Sequence, residues 1–234
     1  HGDSLKKLEE DPYQALGEVR GFGFKTADNM GHALGIELND PRRVRGAILS
    51  ILQTALNTLG DTYVALDELL TQAYDLVQST SYDELANSVN ELQRQGKVVV
   101  SGDKAALQTI FQTELDIATE LKHVVNNQVE KEEFDDSDIE KAIKHVEETL
   151  EIEYDDTQKN AIKNALNNPI SILTGGPGTG KTTIIRAIVS LLREVYKARD
   201  EDIALLAPTG RAAKKMKETT NLKSSTIHRY LGYD

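Results

Sequence analysis

Residues 170–183 read Ile-Ser-Ile-Leu-Thr-Gly-Gly-Pro-Gly-Thr-Gly-Lys-Thr-Thr, and this stretch decides the fold of the C-terminal third. The first five residues are β-prone. After Thr183, Ile184, Ile185, Ile188, Leu191 and Leu192 recur at helical spacing. Strand, glycine-rich turn and amphipathic helix in that order form the setting in which GxxxxGKT binds phosphate. The turn's backbone N–H groups converge on phosphate oxygens, and the helix points its positive N-terminal end at the same anion. Gly175, Gly176, Pro177, Gly178, Thr179, Gly180, Lys181, Thr182 and Thr183 are therefore expected to cradle a nucleotide. Lys181 would reach the β- and γ-phosphates and Thr182 would place its hydroxyl on Mg²⁺, which makes these two the candidate catalytic residues. The chemistry of this loop suits ATP or GTP.

A second apolar run, Ile203–Ala207, predicts a parallel α/β arrangement with a right-handed crossover and the ligand at the C-terminal ends of the strands. Pro208-Thr209-Gly210-Arg211 follows, and Arg211, Lys214 and Lys215 crowd the first turns of the next helix. A helix start with clustered cations offers a place for a second phosphate, distinct from the nucleotide's; a solvated basic face is the other reading.

The 234 residues carry a net charge of −11, which taken whole argues against a polyanionic partner. The distribution reverses that argument. Residues 1–129 hold 11 basic and 19 acidic side chains, residues 130–156 hold 3 and 13, and residues 157–234 hold 13 and 6. The C-terminal third is thus a basic body behind an acidic run, and a nucleic-acid partner stays open for it. There is no cysteine, which excludes disulfides and thiolate metal sites and fits a cytoplasmic setting. No run approaches the ~20 apolar residues of a membrane span, so no membrane partner is expected. The first residue is His1 rather than methionine, which suggests a piece of a longer protein.

Asp11-Pro12 reads as an N-cap and first helical position, opening a short helix through Val19. Gly21-Phe22-Gly23-Phe24 then turns the chain, its two glycines able to take positive φ, into a second helix ending at Gly35. Such a hairpin either offers N–H groups at Gly21 and Gly23 to a DNA phosphate or is a plain helical turn plugged by Phe22 and Phe24. Asp40-Pro41 opens an amphipathic helix running to Gly60. A β-prone Thr62–Val64, two helices (the second opened by the Ser81–Glu84 capping box), a strand at Lys97–Val100 and a second strand near Leu107–Phe111 give the order of a winged helix. Residues 128–137 read as an acidic connector, and a helix from Asp138 introduces the last domain. The expected organisation is multidomain: a helix-hairpin-helix region at 1–38, a winged-helix-like helical domain at 39–127, the connector at 128–137, and at 138–234 the first part of an α/β RecA-like P-loop domain.

Several of these pieces coincide in one family. Tyr154-Asp155-Asp156-Thr157-Gln158, the glycine loop, Ala207–Met216 and Ser225–Leu231 together resemble the Q-motif, motif I, motif Ia and the next DNA-contact motif of superfamily 1 helicases, in the RecD/TraA branch. Asp11-Pro12-Tyr13 and Gly21–Asp28 are similar to the helix-hairpin-helix region before the motor of RecD-like proteins that stand alone from the RecBC complex. The resemblance implies that Gln158 hydrogen-bonds the adenine edge, favouring ATP over GTP. It also implies that Pro208, Thr209, Gly210 and Arg211 lie on a single-strand track, with Thr226 and His228 close by. Single-stranded DNA held without regard to sequence is the implied partner, and 5′-to-3′ unwinding in recombination and repair the implied activity. Contacts with repair or single-strand-binding proteins cannot be read from the residues.

After Thr183 no apolar strand ends in Asp-Glu, the pair that would complete magnesium binding. Asp67-Glu68 imitates that pair but falls in an amphipathic helix before the loop, where both read as surface residues. A single chain of this content is expected to bind ATP-Mg and DNA without full turnover, as part of a longer motor. Two competing readings are a P-loop ATPase with an N-terminal protein-interaction domain, and a regulatory nucleotide-binding switch.

Overall fold

A computed structural model describes residues 11–16, 22–127 and 136–233. The chain divides into two compact units, His1–Glu120 and Leu121–Asp234.

In the first unit, Asp11 accepts the Tyr13 N–H at 3.0 Å and caps a single 3₁₀ turn, Pro12–Ala15. The expected helix through Val19 extends beyond the described residues, as does Gly21. Helix α1 (Phe24–Ala33) starts at Gly23, which serves as its N-cap at φ −97° rather than at the positive φ expected of a turn glycine. Helix α2 (Pro41–Thr54) is capped by the Asp40 carboxylate and buries Val44, Ala47, Ile48 and Leu52 on one face. The predicted continuation to Gly60 changes character: Ala55–Leu59 is a π-helical turn with no buried residue, and Leu59 is 73% exposed. The apolar face outlasts the core that could cover it.

Tyr13 locks the N-terminal turn onto both helices. A Cβ at Gly31 of α1 would meet its hydroxyl oxygen at 2.6 Å, and one at Gly46 of α2 would meet its ring at 2.6 Å. Its hydroxyl donates to Asp28 at 2.8 Å, and Asp28 pairs with the buried Arg43 at 2.7 Å. Arg43 also donates to the carbonyls of Leu38 and Val77, both at 3.0 Å, so one guanidinium joins the helical hairpin to the next layer. A buried charge persists only when its donors are satisfied in this way.

Strand β1 (Val64–Ala65), helix α3 (Leu66–Val77), helix α4 (Tyr82–Arg94), and strands β2 (Val98–Ser101) and β3 (Lys104–Leu107) follow. The Ser81–Glu84 capping box forms as expected. The strands make an antiparallel sheet in the order β1-β3-β2, with Val98 opposite Leu107 and Ser101 opposite Lys104. The strand expected near Leu107–Phe111 is earlier than predicted: β3 ends at Leu107 and helix α5 (Gln108–Asn126) begins at once. The two-residue turn fixes this register, since β3 can pair only while β2 lasts. Asp67 and Glu68 lie exposed in the first turn of α3.

The second unit contains helices α6 (Asp136–Leu150), α7 (Asp156–Asn167) and α8 (Lys181–Glu194), strand β4 (Leu205–Ala207), helix α9 (Gly210–Thr220), strand β5 (Ser224–Thr226) and the single turn α10 (Ile227–Tyr230). Ile139, Ile143 and Val146 of α6 pack with Ile162 and Leu166 of α7 and Ile184, Ala187 and Leu191 of α8 around the buried Tyr154. A parallel pair is present, but it is β4 with β5, Ala207 opposite Thr226. The strand expected at residues 170–174 is not formed: the segment has no ladder partner among the described residues, and Ile172 is 87% exposed. β-propensity alone does not make a strand, because the ladder's hydrogen bonds need a neighbour. No helix among the described residues is long and apolar enough to cross a membrane.

Candidate functional site

The glycine loop takes the shape its composition demands. Gly178 and Gly180 both lie at φ 80°, in the left-handed region that costs any residue with a Cβ about 1–2 kcal/mol. Gly180 is the N-cap of α8, and the α8 N–H groups of Lys181, Thr182 and Thr183 follow it directly. Lys181 folds back over the loop, its Nζ donating to the carbonyls of Gly175, at 2.6 Å, and Gly176. Thr179 Oγ1 donates to the Gly176 carbonyl at 3.0 Å and closes the turn. These residues fit a triphosphate: the ammonium group spans the cradle and holds oxygens of the loop itself, two carbonyls and the Thr179 hydroxyl, that it can exchange for phosphate oxygens, and a helix N-terminus faces the same space. Thr182, in the first turn of α8, is the hydroxyl available to a magnesium ion. Among the described residues no cluster of histidine and carboxylate side chains could hold a metal without further ligands.

Gln158 is brought to this loop by a second capping arrangement. Asp155 accepts the Gln158 N–H at 2.8 Å, and Gln158 Oε1 accepts the Asp155 N–H at 3.1 Å. That fixes which end of the amide faces outward: Nε2 lies against Gly180, where a Cβ would meet it at 2.6 Å. The Asp-x-x-Gln spacing is itself a capping-box signature, a signal in the sequence that foretells this orientation. Pinning the box from outside is Glu147 of α6, whose carboxylate accepts the Tyr154 N–H at 2.7 Å and meets Lys159 Nζ at 3.1 Å. Partial burial would push the Glu147 carboxyl up, but the Tyr154 N–H and Lys159 outweigh it and hold the pKa below the ordinary value. No sequence pattern marks Glu147, since it meets this corner only through the packing of α6 on α7.

The predicted nucleic-acid residues fall in two places. Thr209 caps α9, its hydroxyl accepting the Ala212 N–H at 3.3 Å. Pro208, Thr209, Gly210 and Arg211 are all exposed, as are Lys214, Lys215 and Lys217. Because Ala207 pairs with Thr226, both strands end together, and Pro208–Arg211 leaves the sheet beside Thr226 and the exposed His228. Parallel pairing thus gathers six residues that lie 15 or more positions apart in two groups. Gly23 belongs to the first unit, exposed at the start of α1.

Two family profiles match the chain: the "ATP-dependent RecD2 DNA helicase HHH domain" over residues 1–63, and an "AAA domain" over residues 158–234. Along nearly its whole length the chain is similar to a RecD-type helicase. The ATP-dependent RecD2 DNA helicase of Deinococcus radiodurans is 29% identical over 99% of this chain, an alignment that covers 32% of the relative. The RecBCD enzyme subunit RecD of Haemophilus influenzae is 45% identical over 64 residues, 27% of this chain and 10% of its own. The ATP-dependent DNA helicase PIF1 of Emericella nidulans is 35% identical over 32% of the chain and 10% of its own length. The chain therefore spans about a third or less of the length of these relatives. The AAA match starts at Gln158 and takes in the loop, β4, α9 and β5, the elements that carry the site.

Proposed function

We propose that this RecD-like chain is the ATP- and DNA-binding portion of an ATP-dependent helicase that moves 5′ to 3′ on single-stranded DNA in recombination and repair, in the cytoplasm. The observation that carries the ATP reading is the loop itself: two glycines at φ 80°, Lys181 across the cradle and the α8 N-terminus behind it. Gly175–Gly180 and Lys181 would hold the phosphates, Thr182 the magnesium ion and Gln158 the adenine edge. Bound Mg-ATP would supply the free energy of phosphoryl transfer for movement along DNA. The chain's own contribution is positioning: fixed N–H donors and one cation, which lose no reorganisation energy when charge shifts on the phosphate. With Thr182 as its single candidate metal ligand, the isolated chain is expected to bind Mg-ATP more readily than it turns it over.

DNA would lie along Pro208–Arg211, Thr226 and His228. N–H groups at a helix start and the cations of α9 suit a sugar-phosphate backbone rather than base edges, so binding would be independent of sequence. The order β1, α3, α4, β2, β3 with the sheet order β1-β3-β2 supports a winged-helix reading of residues 39–127. We read residues 1–38 as a helix-hairpin-helix region, with Gly21 and Gly23 towards DNA phosphate, residues 128–137 as an acidic connector, and residues 138–234 as the first part of a RecA-like lobe.

The deciding experiment is ATP hydrolysis by the full-length gene product with and without a single-stranded oligonucleotide. Stimulation by DNA supports the motor reading; turnover indifferent to DNA rejects it and redirects the search to a protein partner.

A further inference from the structure

From the corner where α6, α7 and α8 meet, we infer that Tyr154 is a positioning residue for base selection: its hydroxyl ties the Gln158 capping box to the first turn of α8, and Glu147 clamps the same corner from α6. The inference rests on the ATP reading of the glycine loop. Tyr154 immediately precedes the cap residue Asp155 and is 3% exposed, its ring packed with Ile162 of α7 and with Ile184 and Ala187 of α8. A phenylalanine would fill that space equally well, so the core does not call for the hydroxyl. Tyr154 Oη donates to the Thr183 carbonyl at 3.4 Å, one residue past Thr182. On the other side, the Tyr154 N–H donates to Glu147 at 2.7 Å, and Glu147 also holds Lys159, one residue beyond Gln158.

Residues 154–159 are thus fixed at both ends. Glu147 grips the backbone before the cap and the side chain after the box, and the Tyr154 hydroxyl reaches the helix that begins at Gly180. Between these ties the Gln158 amide has its Oε1 committed to Asp155 and its Nε2 against Gly180. Releasing the hydroxyl leaves the cap intact but unties it from α8, so the distance from Gln158 to the loop is no longer set. A group that reads one edge of a base depends on that distance more than a phosphate cradle does, since discrimination needs hydrogen-bond geometry held within tenths of an ångström.

The test is equilibrium binding of fluorescent ATP and GTP analogues, with magnesium, to the 234-residue chain. Tyr154→Phe is expected to lower the ATP-over-GTP preference about fivefold, the scale of one neutral hydrogen bond, with an unchanged melting temperature. In a Gln158→Ala background the same substitution is expected to leave the preference where Gln158→Ala put it. Glu147→Gln, altered from the solvent side, is expected to lower the preference in the same direction. An unchanged preference in Tyr154→Phe overturns the inference, as does an equal loss of ATP and GTP binding accompanied by a lower melting temperature, the mark of a purely structural tyrosine. A wild-type chain that binds neither nucleotide rejects the reading of the loop itself and the inference with it; one that binds both equally rejects base selection by Gln158 alone and spares the loop.

Discussion

Gln158 Nε2 and the Cα of Gly180 face each other across a gap that admits no methyl group: a Cβ built on Gly180 would lie 2.6 Å from the amide nitrogen. Gly180 is therefore constrained twice, by its left-handed φ of 80° and by a neighbour that its own capping box holds in place. Gly180→Ala should weaken ATP binding at least tenfold, from about 1–2 kcal/mol of backbone strain plus displacement of Gln158. Pairing it with Gln158→Ala should recover the part due to the clash and leave the part due to strain. Titration with a fluorescent ATP analogue separates the two; a double variant no better than Gly180→Ala would show that the side chain is not the obstacle.

Lys181 makes its hydrogen bonds to oxygens of the loop itself and lies outside the core. Lys181→Ala should therefore abolish ATP binding or turnover in the full-length protein while shifting stability by no more than ~0.5 kcal/mol, the usual range for a surface change. Hydrolysis at the wild-type rate would remove the loop assignment.

Arg211 stands in the first turn of α9, exposed beside the Thr209 cap. If it neutralises one phosphate, Arg211→Ala should weaken single-stranded DNA binding by a similar factor for every sequence and lower the salt slope by about 1. Affinities for three unrelated oligonucleotides at several salt concentrations test both statements. A loss confined to one sequence would count against backbone tracking.

Asp28 links stability to pH. Burial tends to raise its carboxyl pKa, but the hydrogen bonds from Arg43 and Tyr13 and the charge of Arg43 prevail and hold it below the usual 3.8. A depressed folded pKa means that the stabilisation is fully present above the unfolded value and drains away as pH falls through the folded one. The stability gap between wild type and Asp28→Asn should therefore be constant from pH 7 to about 5 and narrow below about pH 4. Arg43→Met, which strands Asp28 beside the Tyr13 ring, should cost about 3 kcal/mol or more. Denaturant melts across this pH range read both; a gap that widens in acid would contradict the sign.

The local chemistry of the site was legible in the chain. GxxxxGKT at 175–182 requires glycines at positive φ and a following helix, and both are present at Gly178, Gly180 and Lys181–Glu194. Capping is equally local: Asp11, Asp40, Ser81 and Thr209 all accept the N–H groups that their positions foretell, because a cap involves partners two or three residues away. The strand expected at 170–174 shows where that logic stops. Its β-prone residues state a preference, but pairing depends on a neighbour that propensity does not name, and the parallel pair formed instead between 205–207 and 224–226.

What the sequence by itself determined is thus the shape of the glycine loop, the helix starts that carry a side-chain cap and the sign of the charge in each segment, all set by interactions within a few residues; the starts of α5 at Gln108 and α6 at Asp136 were not among them. Only the tertiary structure decided which distant groups meet. It put Glu147 and Tyr154 behind Gln158, Gln158 against Gly180, Pro208–Arg211 beside Thr226, and Arg43 among Asp28, Leu38 and Val77. Those meetings follow from helix packing and strand register, which depend on how whole apolar faces fit together and leave no mark at the residues they join.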